Sequence, residues 1–211
     1  MKKLILPLAI LLGVSTVFAQ SAKYEGAMKS NLSLLKNAKT SADYLNVSGA
    51  FERIASAEKT QWLPYYYAAL AQLDEGMNDP QADKDAIGKK VDELLTSAEA
   101  IDKNAELSVL HYYNETMEMT VNPQERWQTS GVAMAKYVKQ TMEQDATNPR
   151  IYFLMGENIF HTPENFGGGK EKAKPIFQKS VDLFATFKPA SDISPNWGKQ
   201  LAEKMLEECD K

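Results

Sequence analysis

Apolar positions recur along this chain at spacings of three and four residues, and the strict alternation of a half-buried strand is absent. The pattern predicts helices nearly throughout. Tyr24–Ala38 carries Met28, Leu32 and Leu35 on one face. Thr40 and Ser41 cap a second helix running through Ala57, with Tyr44, Val47, Phe51 and Ile54 as its apolar stripe. Trp62–Glu75, rich in Tyr and Ala, is closed by Gly76 and the Asn78-Asp79-Pro80 break. Asp83–Ile101 buries Ile87, Val91, Leu94, Leu95 and Ala98, and Ala105–Thr120 and Gln124–Glu143 form a pair divided at Asn122-Pro123. Pro195-Asn196-Trp197 opens a last helix, with Trp197, Leu201 and Met205 at i, i+4 and i+8.

The segment from Pro149 to Phe187 is the most specific. It reads as an antiparallel helix pair joined by HTPENFGGG. Gly156 is expected where the second helix crosses the first closely, with Ala173, Phe177 and Ser180 at helical spacing opposite Tyr152, Met155 and Ile159. Such a pair cannot bury its apolar face alone and must stack on neighbours. Asn104 and Asn148 stand 44 residues apart, as do Thr60 and Asn104, so the stacking repeats. The expectation is all-α: a TPR-like right-handed solenoid of about four antiparallel hairpins plus a C-terminal capping helix.

The first 19 residues read differently. Lys2 and Lys3 precede an apolar run from Leu4 to Val14, and Val17-Phe18-Ala19 places small residues at the −3 and −1 positions. This is the pattern of a signal peptide cut before Gln20, leaving residues 20–211 as one exported helical domain, periplasmic in a Gram-negative source. Losing Lys2 and Lys3 takes the 24 basic residues to 22 against 28 acidic, a formal charge of −6. The charges are interspersed, which argues against nucleic acid as a partner. Cys209 is the only cysteine, so no intramolecular disulfide forms. It is read as a tolerated residue of the last helix, or as a thiol able to cross-link two chains.

The pieces AFERIASAEKTQWLPYYYAALAQL, YFLMGENIFHTPENFGGGKEKAKPIFQKSVDLF and PNWGK resemble the exported tetratricopeptide proteins common in Bacteroidetes, over Tyr24 to Leu206. The likeness to periplasmic TPR proteins that accompany TRAP transporters is looser. The resemblance implies a helical solenoid used for binding, usually of other proteins, and carries no catalytic residues. The carboxylate clamp of chaperone-binding members is not matched, because Gly156-Glu157-Asn158 stands in its place.

In stacked hairpins the first helix of each pair lines the concave face. That places Tyr66, Leu70 and Asp74 inward on one helix, and Arg150, Phe153, Glu157 and Phe160 or His161 on another. On the helix between them His111, Glu115 and Met119 are expected inward, although Tyr112-Tyr113 leave its register open by one residue. Partner contacts are thus expected from Tyr66, His111, Glu115, Arg150, Phe153, Glu157 and His161, aromatics and Arg being favoured at binding centres. The other reading of each aromatic is packing between helices. His111/Glu115 and Glu157/His161 are each four apart, so a divalent-ion site would follow if they converged. No HExxH helix accompanies them, and no metal, cofactor or catalytic residue is expected. FGGGK lacks the preceding strand and the Ser/Thr of a phosphate loop, so it reads as a connector tacked down by Phe166. The expected function is a non-enzymatic adaptor binding an unidentified envelope protein or peptide segment, with small-solute binding linked to transport as the alternative.

Overall fold

The computed structural model describes the backbone of residues 6–211 and the side chains of residues 22–211. The expected leader, 1–19, and its cleavage point lie outside the fully described residues. Helices follow one another as α1 (Leu6–Asn37), α2 (Ser41–Ala57), α3 (Leu63–Asn78), α4 (Lys84–Glu99), α5 (Ala105–Met119), α6 (Pro123–Gln144), α7 (Pro149–His161), α8 (Lys170–Thr186) and α9 (Lys199–Cys209). The described residues contain no strand.

Local chemistry sets the helix starts. Thr40 accepts from the Asp43 amide at 3.2 Å and Asp43 accepts from the Thr40 amide at 3.0 Å, a reciprocal box that opens α2. Asp83 caps α4 through the Ala86 amide, and Asn104 caps α5 through the Leu107 amide. Asn148 caps α7 through the Arg150 amide, with Pro149 at the first helical position where no amide hydrogen is needed. The two asparagines of the 44-residue repeat therefore play the same part at the starts of α5 and α7.

Packing follows pairs: α2 on α3, α3 on α4, α5 on α6, and α7 on α8, with α3, α5, α7 and α9 touching in sequence as an inner layer. In the last pair a Cβ on Gly156 would lie 2.5 Å from the Phe177 ring, so only glycine lets α8 cross this close. Ala173, Phe177 and Ser180 are fully buried, as the spacing predicted, and the Ser180 hydroxyl donates to the Pro149 carbonyl at 2.8 Å.

Three expectations are corrected. Gly76 does not end α3 but lies inside it, where a Cβ would meet Met117 of α5. Phe166 is 77% exposed and tacks nothing down; the loop is held by backbone bonds from Gly168 to Pro163 and from Gly169 to Ile159. The last helix begins at Lys199, because Gly198 adopts φ +99° and breaks the run from Trp197. Leu201 is consequently 53% exposed, and Ala202, Met205, Leu206 and Cys209 pack instead.

The segment 187–198 between α8 and α9 crosses the inner layer back to the start of the chain. Asp192 pairs with Lys29 of α1 at 2.8 Å. The Ile193 carbonyl accepts from the Tyr67 hydroxyl at 2.9 Å, and the Ile193 side chain joins the core of the first five helices. Trp197 donates its indole N–H to the Tyr66 hydroxyl at 2.7 Å. Contacts in a simple repeat array stay between neighbours; this strap ties the last pair to the first.

Gly156→Ala forces a methyl into the Phe177 ring, and overpacking of this kind costs about 1–3 kcal/mol. Urea unfolding should show that loss as a lower midpoint with an unchanged slope.

Candidate functional site

Arg150 starts α7 with no exposed surface at all, and a buried guanidinium must be paired to remain there. Its Nη1 lies 2.9 Å from Glu106 Oε1 of α5, and its Nη2 donates to the Pro195 carbonyl of the strap. Glu106 also accepts from the Asn148 side-chain amide at 2.7 Å and from the Tyr66 hydroxyl at 3.2 Å. Burial pushes the Glu106 carboxyl up, against the opposing pull of Arg150, Asn148 and Tyr66. The guanidinium also lies 4.6 Å from the Phe187 ring centre and 5.7 Å from that of Trp197. α3, α5, α7 and the strap thus meet on one buried charge pair.

Trp197 lies over this network and spans the two halves of the core. Its ring is 6.4 Å from Tyr113 and 6.5 Å from Phe153, which in turn is 6.4 Å from Phe177. The inner layer is thereby filled at the end where α3, α5 and α7 begin.

The residues expected to contact a partner divide accordingly. Tyr66, Arg150 and Phe153 are buried in packing, because the strap covers the face they were predicted to present. His111 is buried too: its Nε2 lies 3.2 Å from Glu99 of α4, and its ring stacks on Tyr137 of α6 at 4.8 Å. Glu115 follows His111 toward the α4–α6 side, near Ser130, Asp92 and Lys136. Tyr113, not His111, is the inward residue of α5, packing with both core clusters. Glu157 is half-buried and pairs with His161, whose side chain is 69% exposed, at 3.5 Å. The two histidine pairs do not converge, and no group of three or more metal-ligating side chains forms among the described residues.

Past Trp197, toward the other end of the inner helices, two carboxylates, Asp74 and Glu157, both act on Tyr113. Burial pushes Asp74 up to about 7, partly offset by the Tyr113 hydroxyl, and burial likewise raises Glu157 while His161 and Lys204 pull it down.

A cleft of about 550 Å³ opens where the strap passes the starts of α5 and α7. Trp62, Phe187, Pro189 and Pro195 give it apolar walls, with Lys103 and Lys188 among its lining. It belongs to no residue set predicted from sequence. Its one trace there is the aromatic- and proline-rich run FKPASDISPNW, of which only Pro195-Asn196-Trp197 enters the expectation of a last helix. A larger cavity of about 670 Å³ between α1 and α2 is lined by Asn31, Asn37, Asn46, Asp43 and Arg53 and holds no aromatic ring.

No protein-family model matches the chain, and the curated proteins give no match. Among solved structures, the HusA haemophore from Porphyromonas gingivalis aligns with a TM-score of 0.79 and 31% identity, over 88% of this chain and 92% of that one.

Replacing Arg150 by Met strands the Glu106 carboxylate, and breaking a buried pair costs about 3–5 kcal/mol. Thermal unfolding should recover much of that loss in the double variant Arg150→Met/Glu106→Leu. A second expectation concerns pH. A carboxyl raised in the folded chain keeps its proton when the unfolded chain has lost it. Stability from Asp74 is therefore present below about pH 4 and drains away as the pH climbs to its folded value near 7. Asp74→Asn should be more stable relative to wild type at pH 8 than at pH 4.5; a constant difference between the two would contradict this.

Proposed function

This chain belongs to the family of the HusA haemophore, and on that premise we propose that it binds a tetrapyrrole of the haem class as non-catalytic cargo. The observation that carries the reading is the kinship itself: 31% identity sustained over 92% of a haemophore. The structure supports it with an aromatic-walled cleft of a volume within the range of ligand sites, roughly 300–1,000 Å³. This reading favours small-solute binding over a protein adaptor. Docking of a protein segment along the inner helices stands second, since Tyr66, Phe153 and Arg150 are withdrawn from solvent there.

We read the stacked pairs as a TPR-like right-handed solenoid of about four hairpins with α9 as its cap. The close crossing at Gly156 and the buried Ala173 and Ser180 support that reading. Export by the leader would deliver the carrier to the periplasm, where captured haem would pass on to uptake. Among the described residues no helix is long and apolar enough to cross a membrane.

Titrating purified residues 20–211 with haem tests the proposal. A saturable Soret shift, with quenching of tryptophan fluorescence, is the expected result. A ligand at a hundred times its Kd should add about 2.7 kcal/mol of apparent stability by mass action, so the melting temperature should rise with haem concentration. Absence of both responses would falsify the proposed cargo.

A further inference from the structure

We infer that the cleft beside the strap is the tetrapyrrole site, and that Lys103 and Lys188 recognise the carboxylates on the ring's edge. The inference rests on the proposed haem-class cargo and adds its place and its polar anchor.

A haem-class ligand is a flat apolar ring with two carboxylates at one edge, so its site needs flat apolar walls and cations at a wet rim. Trp62 supplies one wall and is held in place by edge-to-face packing on Tyr66 at 5.7 Å. Phe187 supplies another, its ring backed by the buried Arg150 guanidinium. Pro189 and Pro195 add stiff apolar surface, and the Pro195 carbonyl is itself tied to Arg150. These walls are fixed by the buried charge pair before any ligand arrives, which lowers the ordering cost of binding.

The lining holds three carboxylates, each accepting hydrogen bonds from its own chain, and two lysines. Glu106 is committed to Arg150, Asn148 and Tyr66. Asp102 accepts from Asn104, and Asp145 accepts from the Thr147 amide and hydroxyl. Lys103 and Lys188 are exposed and make no ion pair among the described residues. Two unengaged cations on an otherwise acidic chain, at the rim of an aromatic cleft, match a dianionic planar ligand. Among the described residues no histidine, cysteine, methionine or tyrosine lines the cleft, so recognition there runs through ring faces and edge carboxylates. The cavity between α1 and α2 offers no aromatic wall.

The test compares wild type, Lys103→Glu/Lys188→Glu and Ala190→Trp, titrated with haem and with its dimethyl ester, which lacks the edge charges. Ala190 is exposed at the cleft, so a Trp there fills the space without entering the core. Circular dichroism and melting of the free proteins should match wild type. The charge-reversed protein should bind haem roughly tenfold more weakly, with the ester unaffected, in line with two rim ion pairs reversed. Ala190→Trp should weaken both ligands. Wild-type affinity in both variants would move the site elsewhere while leaving haem as cargo. Equal weakening of haem and ester by charge reversal would overturn the carboxylate assignment. Failure of wild type to bind either ligand overturns the cargo and the site together.

Discussion

The fold depends on one buried ion pair. Arg150 could not sit at the start of α7 with no exposed surface unless Glu106 faced it from α5 and the Pro195 carbonyl closed its other side. Desolvating two charges is expensive, and an apolar substitute of the same shape is often as stable. The return here is positional. The planar guanidinium donates in fixed directions, so it orients α5, α7 and the strap together and stacks on Phe187 as well. Tyr66 and Asn148 then occupy the remaining acceptor capacity of the carboxylate, and Trp197 donates to that same tyrosine.

The strap that this pair secures changes what kind of helical array the protein is. A plain stack of hairpins leaves its inner face open along its whole length and its two ends independent. In this chain, segment 187–198 reaches Lys29, Tyr67 and Tyr66 from the far end of the sequence. The inner face is consumed as core at one end, and a new concavity appears beneath the strap where Trp62 and Phe187 line one cleft. The concavity lies not along the helix faces but at the loops where the helices start. Loops carried on a rigid scaffold are a frequent seat of function.

This explains which parts of the molecule are legible in the sequence. The last helix pair is, because Gly156, Ala173, Phe177 and Ser180 are local in sequence and each reports a contact within one hairpin. The caps at Asn104 and Asn148 are legible for the same reason. The inner face is not. Tyr112 and Tyr113 are adjacent, and periodicity cannot say which faces α3 and which faces α6 until both neighbours are placed. The expectation of His111 and Glu115 as inward residues inherits that ambiguity, and the fold resolves it in favour of Tyr113. Trp197 misleads because its i, i+4, i+8 spacing with Leu201 and Met205 is a helical signal, while the left-handed Gly198 that interrupts it has no signature beyond being glycine. Arg150 and Tyr66 stand out in the sequence, yet their role differs from the one residue type suggests. An arginine and a tyrosine enriched at binding surfaces are chemically equally suited to a buried polar network.

The same reasoning bears on how binding and stability are coupled. In a site built from independent surface side chains, a ligand adds its contacts and little else. The cleft walls here are Trp62, packed on Tyr66, and Phe187 and Pro195, each held by Arg150, so three of its four apolar walls end on the central network. A ligand pressing on those walls presses on the interaction that joins α5, α7 and the strap. Occupancy should therefore be transmitted as tighter docking of the strap across the inner layer, reaching Lys29 on α1 through Asp192. An aromatic cleft anchored to a buried charge pair would thus serve the proposed cargo as both container and clamp, with Lys103 and Lys188 at hand to keep its charged edge in water.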